Sequence, residues 1–301
     1  MNARRLVGIV TLALLAAVAQ AHEDPAGGHL MLIGGGDKPA AAMAKFVELA
    51  GGKDAPIVVI PTASGDADTP SYYLELFRKD HGATDVVVLP IKTKEDSNRA
   101  DLVAATARGR GFFFAGGDQS RILDAMEGTA VLDAMTTAFR NGAVVGGTSA
   151  GTACQTALMI TGEGDFKSIH QGAVELRNGL GFLRGVIVDQ HFIARQRENR
   201  LITVLLERPE LLGIGVDEDT AVWVRPDQTF EVIGDSSVMV FDLMGSSVQR
   251  AKGSADKDLL GVHGMRVHIV LPGEEFDITR RVPLGETKGE TIAVSEAAGA
   301  R

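Results

Sequence analysis

Apolar runs and amphipathic stretches alternate from residue 29 to about residue 218. HLMLIGGG (29–36) predicts a strand ending in a glycine turn. PAAAMAKFVELAGG (39–52) predicts a helix with Pro39 near its start and glycines at its end. The same alternation predicts strands in PIVVIPTAS (56–64), TDVVVLPI (84–91), GFFFAGGDQ (111–119) and NGAVVGGTSAG (141–151). Helices fall between them at TPSYYLELFRKDHG (69–82), at RADLVAATARGR (99–110) and in a region ending at Arg140. GVIVDQHF (185–192) and LGIGVDEDTA (212–221) read as the sixth and seventh strands. Continuous apolar strands separated by helices point to an α/β fold: a mostly parallel central sheet with helices on both faces.

Beyond Thr220 the pattern changes. AVWVRP, TFEVIG, SVMVFDL and MRVHIVLP read as strands joined by tight turns. They are expected to extend the same sheet as a mixed or antiparallel edge. No composition break interrupts the chain, so residues 22–301 are read as a single α/β catalytic domain.

The first residues stand apart. MNARRLVGIVTLALLAAVAQA has two arginines, an apolar run and Ala19-Gln20-Ala21. This is the order of a secretory signal peptide over residues 1–21. The run from Leu6 to Ala19 is short for a bilayer span, so cleavage is expected rather than anchoring. The mature chain is then secreted or periplasmic, with no membrane contact. Cys154 is the lone cysteine of the sequence, which excludes an intrachain disulfide. The formal net charge is −9, and removal of Arg4 and Arg5 makes it more negative. An acidic chain is a poor partner for nucleic acid. No group of histidines, cysteines and carboxylates has zinc-ligand spacing, and no metal or other cofactor is expected.

In such sheets, sites form at the C-terminal ends of the strands. Gly147-Thr148-Ser149-Ala150-Gly151 fits the G-x-S-x-G elbow, which exposes a serine on a sharp strand-to-helix turn. The amide of Ala150 then lies at a helix N-terminus, where it can stabilise an oxyanion. A serine capping a glycine-rich turn fits the same residues equally well. His191 follows the apolar strand Val186-Ile187-Val188 and falls on the rim that carries Ser149. A hydroxyl needs such a base within reach to become nucleophilic. Asp217-Glu218-Asp219 offers three carboxylates to orient it, and spacing leaves open which one faces His191. Gly116-Gly117-Asp118-Gln119 allows a close backbone approach and a second oxyanion amide, or a plain turn capped by Asp118. Arg195, Arg197 and Arg200 follow His191. Their forked guanidinium groups suit carboxylates. Spacing alone favours a solvated helix surface paired with Glu198 and Glu207.

Taken together, GGTSAG, FFFAGGDQSR, VIVDQHFIARQRENRL and LGIGVDEDTA resemble, in order, the sequence blocks of the cyanophycinase branch of the peptidase E-like (S51) serine peptidases. The resemblance spans roughly residues 29–280. It implies a three-layer α/β sandwich, like the flavodoxin and class I glutamine amidotransferase folds, with a Ser-His-Glu triad. By position, the triad is Ser149, His191 and Glu218. The oxyanion donors are the Gly117 loop and Ala150. Gln119, Asp189, Gln190, Arg195, Arg197 and Arg200 match substrate-engaging positions, with Asp189 a candidate to meet a guanidinium. The implied substrate is cyanophycin, a poly-aspartate chain with arginine amide-linked to each side chain. It would be cut through an acyl-enzyme to β-Asp-Arg dipeptides. A homodimer is also implied. The alternatives are an α-aspartyl dipeptidase with the same site, and an inactive periplasmic binding protein. An esterase of the α/β-hydrolase fold is disfavoured, because there the acid precedes the histidine.

Overall fold

The computed structural model describes residues 27–253 and 257–285. The leader assigned to residues 1–21 lies outside the described residues. The first half of the chain alternates strands and helices. Its elements are β1 (His29–Ile33), α1 (Ala40–Leu49), β2 (Ile57–Ile60), α2 (Thr69–Glu75), β3 (Val86–Val88), α3 (Ala100–Arg108), β4 (Gly111–Phe114), α4 (Gln119–Met126), α5 (Ala130–Arg140), β5 (Val144–Thr148) and the short α6 (Ala150–Ala153). A hairpin of β6 (Leu158–Gly164) and β7 (Val174–Asn178) comes next. β8 (Val186–Gln190), α7 (Glu198–Glu207) and β9 (Leu212–Val216) make one more β-α-β unit. The rest is strand: β10 (Thr220–Val224), β11 (Thr229–Gly234), β12 (Val238–Asp242), β13 (Ser247–Lys252), β14 (Asp258–His263), β15 (Arg266–Val270), β16 (Glu275–Asp277) and β17 (Val282–Leu284).

The large sheet has nine strands in the order β17-β16-β11-β10-β1-β5-β4-β2-β3. Its β1, β5, β4, β2 and β3 run parallel, and β10, β11, β16 and β17 add an antiparallel wing. Two of the four late strands, AVWVRP (β10) and TFEVIG (β11), extend the sheet as expected; SVMVFDL (β12) and MRVHIVLP (β15) do not, but pair in a second sheet. The expectation of one sheet does not hold for the sixth and seventh strands. β8 and β9 instead join β12 and β15 in a separate four-stranded sheet, ordered β15-β12-β9-β8. The sequence could not separate the two outcomes, because β8 and β9 are buried along their whole length. A strand apolar on both faces fits the middle of either sheet.

Strand alternation divides the core. Met31 and Ile33 of β1 face Met43 and Phe46 of α1 and Phe77 beyond α2. Leu30 and Leu32 join the opposite cluster, with Leu102, Ile122, Met135 and Phe139 from α3–α5. The same cluster takes Val186, Val188, Ile214 and Val216 from the second sheet. So this face is covered partly by helices and partly by a sheet, not by helices alone. Ile187 points the other way, onto Leu201 and Leu205 of α7.

The exit of β1 joins the two sheets. Ser149 N–H donates to Ile33 O (3.0 Å), His191 N–H to Gly34 O (2.6 Å) and Gly34 N–H to Thr220 O (2.9 Å). The ends of β5 and β8 and the start of β10 are thereby held at one point.

Candidate active site

Ser149 sits between β5 and α6 with φ 54° and ψ −114°. A non-glycine residue rarely holds such a backbone, and it persists only where the surroundings impose it. The surroundings here are the small residues of GGTSAG. A Cβ on Gly147 would lie 2.3 Å from Gly151 O, so the turn closes only around glycine. Thr152 Oγ donates to Ile33 O (2.6 Å) and Gly147 O (2.8 Å), which ties the turn down. The Ser149 hydroxyl is left half-buried at the edge of a cleft.

His191 also has a positive φ, 51°. Its Nε2 is 2.8 Å from Ser149 Oγ and its Nδ1 is 2.5 Å from Glu218 Oε1. Three residues from β5, β8 and β9 thus form one hydrogen-bonded chain. Gly35, at φ +115°, lies against the imidazole; a Cβ there would stand 2.1 Å from His191 Cε1. Burial lowers the His191 pKa below the ordinary 6.5; the bond from Glu218 opposes this, and the charge of Arg195 adds to it. The ring is therefore neutral at pH 7, with Nδ1–H donated to Glu218 and Nε2 free to accept the serine proton.

The three neighbouring carboxylates have separate tasks. Only Glu218 meets the imidazole. Asp219 accepts the Asp37 N–H (2.6 Å). Asp217 accepts the N–H groups of Ile193 (3.0 Å) and Ala194 (2.9 Å) and the Ser236 hydroxyl (2.9 Å). It clamps the loop after His191 to the loop that carries Glu218. The sequence showed these acids only as alternating side chains, so the clamp was not foreseen.

The cleft beside Ser149 encloses about 300 Å³. Gly117, Gln119, Gln190, Arg195, Arg197 and Arg200 all line it. A Cβ on Gly116 would lie 3.4 Å from Ser149 Cβ, so the Gly116–Gly117 loop runs directly beside the serine. Ala150 N–H opens α6, where it has no acceptor within the helix. Of the two residues foreseen as oxyanion donors, Gly117 lines the same cleft as Ser149 and Ala150 follows the serine directly.

The pocket residues divide into two groups. Arg195 is exposed and stands 3.8 Å from Glu218 Oε1. Arg197 donates to Gln190 O (2.6 Å) and to the Gln190 side chain. Burial, with Arg200 nearby, lowers the Arg197 pKa to about 10, so it stays charged at neutral pH. Gln119 is buried, and its Nε2 donates to Ile160 O (2.7 Å) and Thr161 O (2.8 Å). It braces β6 as one wall of the cleft.

Asp189 departs from expectation. It is 1% exposed, and its Oδ2 accepts Arg200 Nε at 2.6 Å. Its Oδ1 accepts Arg200 Nη2 and the Gln190 N–H. The carboxylate is buried and does not line the cleft. The reading of Asp189 as a guanidinium contact is corrected: it is the buried counter-ion of Arg200. The resemblance implied a substrate contact, but the partner of Asp189 lies on α7, which spacing alone does not reveal.

Among the described residues, no cluster of three or more metal-ligating side chains is found, and no helix is long and apolar enough to cross a membrane.

The family model for peptidase family S51 matches residues 30–232. A cyanophycinase from Synechococcus elongatus is 34% identical over 256 residues, covering 83% of this chain and 79% of its own. One from Geminocystis herdmanii is 33% identical over 260 residues, covering 85% and 95%. A solved peptidase from an acI-B1 Actinobacterium shares the fold with TM-score 0.63 at 21% identity, over 83% of this chain and 97% of its own. The chain belongs to peptidase family S51, and so to the peptidases.

Proposed function

We propose that this protein hydrolyses cyanophycin, with Ser149 as nucleophile. The observation that carries the reading is the unbroken hydrogen-bonded chain Ser149–His191–Glu218 at the mouth of an arginine-lined cleft. The cyanophycinase relatives, similar over most of their length, support the choice of substrate.

Ser149 Oγ attacks the scissile aspartyl carbonyl carbon and passes its proton to His191 Nε2. The oxyanion is held by the amides of Gly117 and Ala150. Glu218 stabilises the imidazolium and fixes its tautomer. Collapse breaks the C–N bond, and His191 returns the proton to the leaving amine. Water, deprotonated by His191, then attacks the acyl ester; the C–O bond to Ser149 breaks, His191 returns the proton to Ser149 Oγ, and the product carboxylate is freed. The product is β-Asp-Arg. Arg195 and Arg197 hold substrate carboxylates, with Arg197 placed by Gln190 and Arg200 placed by Asp189. The leader at residues 1–21 would send the mature enzyme out of the cytoplasm, where it acts on polymer released by other cells.

Mass analysis of products from defined cyanophycin tests this reading. The expected product is the β-Asp-Arg dipeptide. Turnover of short α-aspartyl peptides with the polymer intact would instead identify a dipeptidase. Saturable binding with no product would identify a binding protein.

A further inference from the structure

Charge is unevenly distributed in the cleft. Arg195 and Arg197 contribute positive charge, Arg200 being paired with Asp189, while Glu163 stands at its margin on β6. The β6–β7 ladder is regular from Leu158 to Ile160 and resumes only at Gly164, opposite Val174. Thr161, Gly162 and Glu163 together oppose Glu175 alone. Bulges of this kind turn side chains out of the ladder and are common beside active sites. Here the bulge places Glu163 on the cleft.

The bulge is held in place. Gln119 binds the carbonyls of Ile160 and Thr161, as described above. Thr161 Oγ accepts the Glu163 N–H at 3.3 Å. Gly162 (φ +104°) and Gly164 (φ +143°) supply backbone angles that other residues rarely adopt. The Glu163 carboxylate itself makes no hydrogen bond or ion pair among the described residues. The neighbouring acids are occupied. Asp189 holds Arg200, Glu218 holds His191, and Asp118 caps α4 through the Ser120 N–H (2.8 Å). An unpaired carboxylate that lines the same cleft as Arg195 and Arg197 fits a ligand with a cation at one end and an anion at the other.

We propose that Glu163 recognises the guanidinium of the substrate arginine and is a specificity determinant of this enzyme. The inference rests on the cyanophycin reading. Each repeat unit carries an arginine carboxylate, for the arginines of the cleft, and a guanidinium at the far end of the same arginine side chain, for Glu163. A carboxylate accepts two parallel N–H bonds from a guanidinium, a geometry that a neutral ureido group reproduces only weakly.

The test compares soluble β-Asp-Arg oligomers with analogues carrying citrulline, which keeps the shape and removes the charge. Wild type is expected to favour arginine by about tenfold or more in kcat/KM. In Glu163→Gln the ratio falls toward one, and in Glu163→Lys it falls further. Glu163 is exposed, so neither variant disturbs the core. An unchanged ratio in Glu163→Gln, or no preference in wild type, overturns this inference alone. Failure of wild type to cleave either oligomer overturns the cyanophycin reading and this inference with it.

Discussion

Glu218 Oε1 lies 2.5 Å from His191 Nδ1, while the opposite nitrogen of the same ring lies 2.8 Å from Ser149 Oγ. The carboxylate therefore decides which nitrogen carries the proton and which can accept one. Glu218→Gln keeps the shape but can present a donor to Nδ1, favouring the wrong tautomer. Its kcat is expected to fall by about a thousandfold or more, with KM little changed. Steady-state kinetics on soluble oligomers checks this.

The pH profile follows from the environment of His191. Its pKa is lowered from 6.5, by burial first and by Arg195 in addition. The working base is the neutral ring. Activity should therefore persist as pH falls through 6.5 and decline only below it. Arg195→Gln removes a positive neighbour, so the acid limb of kcat/KM should move to higher pH, whatever happens to its height. An acid limb of the wild type at or above 6.5 would contradict the assignment.

Gly35 leaves room for the imidazole. In Gly35→Ala the added carbon would sit 2.1 Å from His191 Cε1, so the ring must move. A displacement of about 1 Å in such a group costs about a hundredfold in rate. Gly52→Ala is the control: it also has positive φ (+93°), but nothing lies within 4 Å of the added carbon. It should lose stability without a comparable loss of kcat.

Asp189 and Arg200 are 1% and 4% exposed. Asp189→Ala leaves a buried guanidinium unpaired, which costs about 3–5 kcal/mol of stability. Urea unfolding should show the loss. A variant of normal stability with only a raised KM would restore Asp189 as a substrate contact.

These cases show what could be read along the chain. The parallel strands β1 to β5 were legible because each is a short apolar run closed by glycine or proline. Ser149 and His191 were legible because both end such runs. The separation of β8 and β9 into a second sheet was not, since strands apolar on both faces carry no record of their neighbours. The β6–β7 and β13–β14 hairpins were missed because VELRN and SVQRAK are largely polar and exposed, without a buried face to mark them. The roles of Asp217 and Asp189 were hidden for a related reason: their partners are backbone amides and an arginine brought near only by folding.

The central claim is that the Ser149 hydroxyl attacks the substrate. Clearing of a cyanophycin suspension by wild type and by Ser149→Ala, at equal concentration and with both shown folded by circular dichroism, tests it most directly. The expected result is rapid clearing by wild type and a rate at least about a thousandfold lower for the variant. Equal clearing by Ser149→Ala would contradict it.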